Sequence, residues 1–140
     1  MTTITESSAT PATQLESASR LESIVQIALT VTDLAVSKHF YQDILGLKFL
    51  FEAGAMAFFQ IGTVRLMIGL AEKPTTPEGT ILYFRVTDIQ ATAEAFKRKG
   101  VILLQEPHLV AKMPDHDLWM AFLKDPTGNV LGLMSEVRVA

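Results

Sequence analysis

The chain has 140 residues, 49% of them hydrophobic, with 12 Lys plus Arg against 15 Asp plus Glu and a formal net charge of −3. Such a length and apolar content suit one folded core, and the lack of a basic surplus argues against nucleic acid as a partner. With no Cys there are no disulfides, thiolate metal sites or cysteine nucleophiles, and no apolar run reaches the ~20 residues of a membrane helix.

Residues 1–20 are rich in Thr, Ser and Ala. They read as a mobile tail with a short helical turn from Gln14 to Leu21. The basic start and apolar stretch of a secretory signal are missing, so the expected compartment is the cytoplasm. A first module is expected over residues 21–71. Ile24 to Val31 alternates, with Ile27, Leu29 and Val31 on one face and Gln26, Ala28 and Thr30 on the other, which predicts a half-buried strand. Thr32 or Asp33 can cap the helix that follows. Val36, Phe40 and Ile44 recur at four-residue spacing as its apolar stripe, with Tyr41 and Leu45 beside them. Gly46 suits a left-handed helix stop. Three strands are then predicted, at Leu47–Glu52, Ala55–Ile61 and Thr63–Gly69, with Gly54 and Gly62 at the turns.

The segment Glu72–Gly79, with Pro74 and Pro77, reads as an irregular crossing to a second module over residues 80–136. Here a strand Ile81–Val86 leads to a helix Ile89–Lys99, in which Ile89, Ala93 and Phe96 share a face. Lys97, Arg98 and Lys99 crowd its last turn, where positive charge suits the helix dipole. Strands follow near Val101–Val110, Asp117–Leu123 and Asn129–Ser135, and Asp125-Pro126-Thr127-Gly128-Asn129 is a turn. The two modules echo each other. Val31-Thr32-Asp33-Leu34 returns as Val86-Thr87-Asp88-Ile89, 55 residues later counted from Val31 to Val86, and 54 from Gly46 to Gly100. A repeat of that kind sets the architecture: strand, helix and three strands, twice over.

This pattern resembles the vicinal oxygen chelate superfamily, the glyoxalase, bleomycin-resistance and extradiol dioxygenase family. The residues that carry the likeness are Ile27-x-Leu29-x-Val31-x-Asp33-Leu34, Phe40-Tyr41-x-Asp43-x-Leu45-Gly46-Leu47 and Ala121-Phe122-Leu123-Lys124-Asp125-Pro126-Thr127-Gly128-Asn129. The resemblance implies an α+β fold, with two βαβββ modules forming paired, cupped mixed β-sheets and the helices outside. It implies a homodimer. It also implies a metal-ligand position on the first and last strand of each module. These positions fall on Gln26, on Met67 (or Leu66 after a shift of one), on Ile81 and on Gly132. Relatives that use a metal carry His, Glu or Gln there. Only Gln26 matches, so no metal site and no cofactor is expected, and the metal-dependent chemistries of the family are placed in doubt.

Alternation aims Gln26, Ala28 and Thr30, Arg65 and Met67, Ile81, Tyr83 and Arg85, and Val130, Gly132 and Met134 at a common cavity. From these, Gln26, Arg65, Met67, Tyr83, Arg85 and Met134 are the candidate ligand contacts, the arginines as anchors for an anion. Trp119 joins them as a stacking surface for a planar ligand, or else packs in the core. His108 and His116, on consecutive strands, are the candidate acid–base groups, with Asp115 or Asp117 able to orient His116. Met56, Met67, Met113, Met120 and Met134 read as core filler or as a flexible pocket lining. His39 is expected to face solvent. Two functions fit. One is a module that binds a small apolar or aromatic, possibly anionic, molecule without the usual metal. The other is a lyase, isomerase or dioxygenase-like enzyme using His108 and His116 as acid–base groups or as unusual metal ligands.

Overall fold

The computed structural model describes residues 20–71 and 80–139. The expected tail with its helical turn and the crossing at 72–79 thus lie largely outside the described residues. Within them the order is β1 (Gln26–Val31), α1 (Leu34–His39), a π-helical turn (Phe40–Ile44), β2 (Lys48–Ala53), β3 (Met56–Ile61) and β4 (Val64–Leu70). The second half runs β5 (Leu82–Arg85), α2 (Ile89–Arg98), β6 (Leu103–Lys112), β7 (His116–Lys124) and β8 (Val130–Arg138). They form two four-stranded mixed sheets, ordered β1-β4-β3-β2 and β5-β8-β7-β6. In each, the first and last strands of the module pair in parallel and the others are antiparallel.

The helices start alike. Asp33 accepts a hydrogen bond from Val36 N and Asp88 from Ala91 N, each at 3.0 Å, so an orphan N–H of each first turn is satisfied by the same residue of the repeat. Gly46 and Gly100, at φ 79° and 87°, hold the left-handed conformation just past each helix, which a Cβ would oppose.

The first helix departs from the expected stripe. Val36 is 48% exposed, while Ser37 and Tyr41 are fully buried. The chain widens into the π-helical turn at Phe40, and the face against the sheet becomes Ser37, Phe40, Tyr41 and Ile44. A serine there lets the short helix lie close to the strands. The expected strand limits hold to within a few residues, with β8 extending three beyond Ser135 to Arg138.

One core joins both modules on the helix side of the sheets. Leu29, Val31, Phe59, Leu66 and Ile68 come from the first, and Ile89, Ala121, Leu123, Leu131 and Leu133 from the second. The turn after β7 fastens them. Asp125 is buried, and its Oδ1 accepts hydrogen bonds from the backbone N–H groups of Thr127, Gly128 and Asn129 at 3.0, 2.9 and 2.8 Å. Its Oδ2 accepts from the Tyr41 hydroxyl at 2.7 Å and from Asn129 Nδ2 at 2.8 Å. Asn129 Nδ2 also donates to Thr30 O, and Thr32 N donates to Thr127 Oγ1, both at 3.0 Å. Burial, with the Asp125 carboxylate beside it, pushes the Tyr41 phenol far above its ordinary value.

Candidate functional site

The strand register arranges the faces turned away from the helices into rows. In the first sheet one row is Gln26, Arg65, Gln60 and Lys48, and the next is Ala28, Met67, Phe58 and Phe51. Phe51 and Phe58 stack with centroids 4.5 Å apart. In the second sheet one row is Tyr83, Gly132, Phe122 and Gln105, and the next is Arg85, Met134, Met120 and His108. Tyr83 meets Phe122 edge-to-face at 5.8 Å, and the His108 ring lies 6.5 Å from Phe122. The second sheet thus offers an aromatic and thioether floor with a guanidinium at one end and an imidazole at the other. Three strand spacings separate those ends, about 14 Å.

The register also shows which residue of β4 is the counterpart of Gly132, the position on β8 where the resemblance implies a ligand. Met67 pairs with Ala28, two residues after Gln26, just as Gly132 pairs with Tyr83, two residues after Ile81. Met67, and not the buried Leu66, is therefore the counterpart of Gly132. Side chains able to hold a hard divalent cation are missing from three of the four positions, since Met67, Ile81 and Gly132 carry no oxygen or imidazole donor. At the fourth position there is also no room. A Cβ on Gly132 would lie 2.6 Å from Cδ2 and 2.8 Å from Cε2 of Tyr83. The phenol ring lies over the glycine and fills the space a ligating side chain would need. Ala28 and Met67 hold the same pair of places in the first sheet with the sizes reversed.

His108 faces the floor with one ring nitrogen engaged. Its Nδ1 is 2.9 Å from Glu106 O. A carbonyl only accepts, so Nδ1 carries a proton and Nε2 is the ring nitrogen left for a ligand. His116 lies four residues along β7 from Met120, the cross-strand partner of His108, which is about 13 Å of strand. The two histidines therefore do not converge on one reacting atom or ion. His116 belongs to another group: its Nδ1 is 2.8 Å from Asp115 Oδ1 and its Nε2 3.0 Å from Glu136 Oε2. The hydrogen bond from His116 holds the Asp115 carboxyl below the usual carboxylate range.

Of its two expected places, Trp119 takes the one in the core. It pairs with Leu109 and Ser135 and packs on the core side of β7 with Ala121 and Leu123, facing away from the floor. Gln26, Arg65, Met67, Tyr83, Arg85 and Met134 all lie on the open faces, but the first three are on one sheet and the last three on the other. The expected common cavity does not enclose both sets within a single chain. A cavity of about 320 Å³ between the modules takes Tyr83 and Arg85 from the second but Leu45, Leu47 and Ile61 from the first. The reason is the helix-side core and the Asp125 turn, which join the modules behind the sheets and leave both open faces to solvent. Met120, Phe122, Glu136 and Arg138 were missed as site residues. Residues 118–123 are apolar at every position, so alternation carries no contrast there.

Comparison with known proteins identifies the lineage. The family model described as Glyoxalase/Bleomycin resistance protein/Dioxygenase superfamily matches residues 23–133. Among solved structures, a glyoxalase/bleomycin resistance protein/dioxygenase from Alicyclobacillus acidocaldarius is similar at 16% identity and TM-score 0.67, over 81% of this chain and 91% of that one. A lactoylglutathione lyase from Agrobacterium tumefaciens is similar at 18% identity and TM-score 0.67, over 83% and 95%. A virulence protein from Salmonella typhimurium is similar at 20% identity and TM-score 0.68, over 84% and 99%. At those identities the structures show a shared fold. No curated protein matches the sequence. With a family match across most of its length and two βαβββ modules in the expected order, the chain belongs to the Glyoxalase/Bleomycin resistance protein/Dioxygenase superfamily.

Proposed function

We propose that this chain binds a small, largely apolar or aromatic molecule on the open faces of its sheets, without a metal. The observation that carries the reading is the Tyr83 ring seated over Gly132, which turns a position for an ion-holding side chain into part of an aromatic floor. Met134 and Met120 extend that floor, and unbranched thioethers adapt to a range of planar ligands. The open faces of both sheets suit a homodimer in which a second copy closes the cup. A neutral aromatic reporter such as N-phenyl-1-naphthylamine tests the reading. It should bind saturably to protein dialysed against a chelator and weaken at least tenfold in Met120→Lys. Stoichiometric Fe, Mn, Ni or Zn that is needed for binding and lost in Gln26→Ala would defeat it. Sedimentation at tens of micromolar should give a dimer.

A second reading, an enzyme of the lyase or isomerase kind, is favoured by one observation, the His108 ring with Nδ1 engaged and Nε2 left for a ligand. In the neutral ring, a lone pair on Nε2 above an apolar floor is placed to take a proton from a bound molecule. Turnover abolished in His108→Ala but retained in His116→Ala would favour catalysis over sequestration.

A further inference from the structure

Beyond the floor, at the end of the second sheet where β8 overruns, lies a cavity of about 400 Å³. Arg85, Asp115, His116, Glu136 and Arg138 are among the residues that line it. Its character is ionic. Arg138 is the cross-strand partner of His116, and Glu136 precedes Arg138 by two residues on the same face. Each ring nitrogen of His116 points at a carboxylate oxygen, Asp115 at 2.8 Å and Glu136 at 3.0 Å. Carboxylates only accept, so both contacts are satisfied when both nitrogens donate. The two carboxylates of the cavity are thereby engaged by His116, and among the described residues neither guanidinium has an ion-pair or hydrogen-bond partner.

We infer that this cavity is an anion subsite, in which Arg85 and Arg138 grip the carboxylate or phosphate head of a small organic molecule. The two sources share one chemistry, a compact oxyanion with paired acceptors that suits the guanidinium fork. Arg85 belongs at once to this cavity and to the row Arg85, Met134, Met120 and His108. A head held here therefore lays its tail along the floor described above. His116 acts as a positioning residue. By occupying Glu136 and Asp115 it keeps them off Arg138 and Arg85. The location of the tail rests on the proposed function, whereas the anion grip stands on the cavity alone.

Two titrations separate the parts. In the first, inorganic phosphate and acetate are added to the whole protein while the His116 ring resonances are followed by NMR. Saturable shifts are expected in the parent and not in Arg85→Met/Arg138→Met, a pair of exposed substitutions whose fold is checked by circular dichroism. Absence of saturable shifts with either ion overturns the subsite. In the second, 2-naphthoate, 2-naphthyl phosphate and the neutral 2-naphthol are compared. At least one anion should bind about tenfold more tightly than the neutral compound, and the advantage should vanish in Arg85→Met and in Arg138→Met. Which anion gains more tells carboxylate from phosphate, and Arg85→Lys should keep more of the phosphate advantage than of the carboxylate one. Equal binding of all three compounds, unchanged in both variants, overturns the subsite and leaves the floor intact. Ion-induced shifts with no naphthyl compound bound would uphold the subsite and defeat the floor. Replacing His116 by Gln should weaken anion binding without changing 2-naphthol binding; equal weakening of both would assign His116 a purely structural role and overturn its positioning part.

Discussion

Replacing Tyr41 by Phe removes a single hydroxyl from the seam between the modules. The Tyr41 ring keeps its neighbours, Phe40 at 5.3 Å and Phe59 at 6.1 Å, so no cavity opens. Asp125 is not stranded either, since Oδ2 retains Asn129 Nδ2 and Oδ1 retains three backbone N–H groups. The loss is one hydrogen bond to a buried carboxylate, about 2 kcal/mol. For a chain of this size that is about 8 °C in Tm, at about 4 °C per kcal/mol. The same residue predicts an alkaline limb. Its phenol is raised in the folded protein by burial first and by Asp125 second. Its contribution is therefore complete below the unfolded pKa of about 10. Above that pH the unfolded chain releases a proton that the folded one retains, and stability falls by about 1.4 kcal/mol per pH unit until the folded group itself ionises. Urea denaturation of parent and Tyr41→Phe, at neutral pH and at several values above 10, reads both effects. The variant should start lower and run flatter. A variant within about 0.5 kcal/mol of the parent at neutral pH, with an undiminished alkaline slope, would refute the reasoning.

Other expectations follow from the same geometry. Asp33→Ala and Asp88→Ala should each cost about 1 kcal/mol in chemical denaturation, with near-additive effects because the caps serve separate helices. Gly132→Ala should displace the Tyr83 ring from Phe122, cost about 1–3 kcal/mol and shift the Phe122 ring resonances. In a Tyr83→Ala background the same substitution should cost far less, and equal costs in both backgrounds would show that the ring does not lie over the glycine.

Much of the fold is legible in the residues because each local signal agrees with the next. Asp33 and Asp88 cap, Gly46 and Gly100 stop, and alternating runs lie between. The misreadings occur where period or parity slips. Four-residue spacing promoted Val36, but the π-helical turn at Phe40 rotated the stripe onto Ser37 and Tyr41. Along β6, register shifts between Leu103 and Gln105, Gln105 and His108, and Leu109 and Ala111 break strict alternation. Gln105 and His108 share a face there although they are three positions apart. Arg138 stood beyond the expected end of the last strand, so the polar cluster around His116 could not be assembled from local pattern. The Tyr83–Gly132 overlap is a matter of cross-strand register, which a single chain's periodicity does not encode.

The hydrogen bonds of the Asp125 turn join residues 84, 95 and 99 positions apart. Contacts of such span close only once long stretches of chain are placed, so Tyr41→Phe is expected to give a φ-value near zero in folding kinetics. Strength added there is felt on the way out and not on the way in: it lengthens the lifetime of the assembled state and leaves the speed of its formation nearly unchanged. The two halves are thus joined by a latch that governs how long the fold persists.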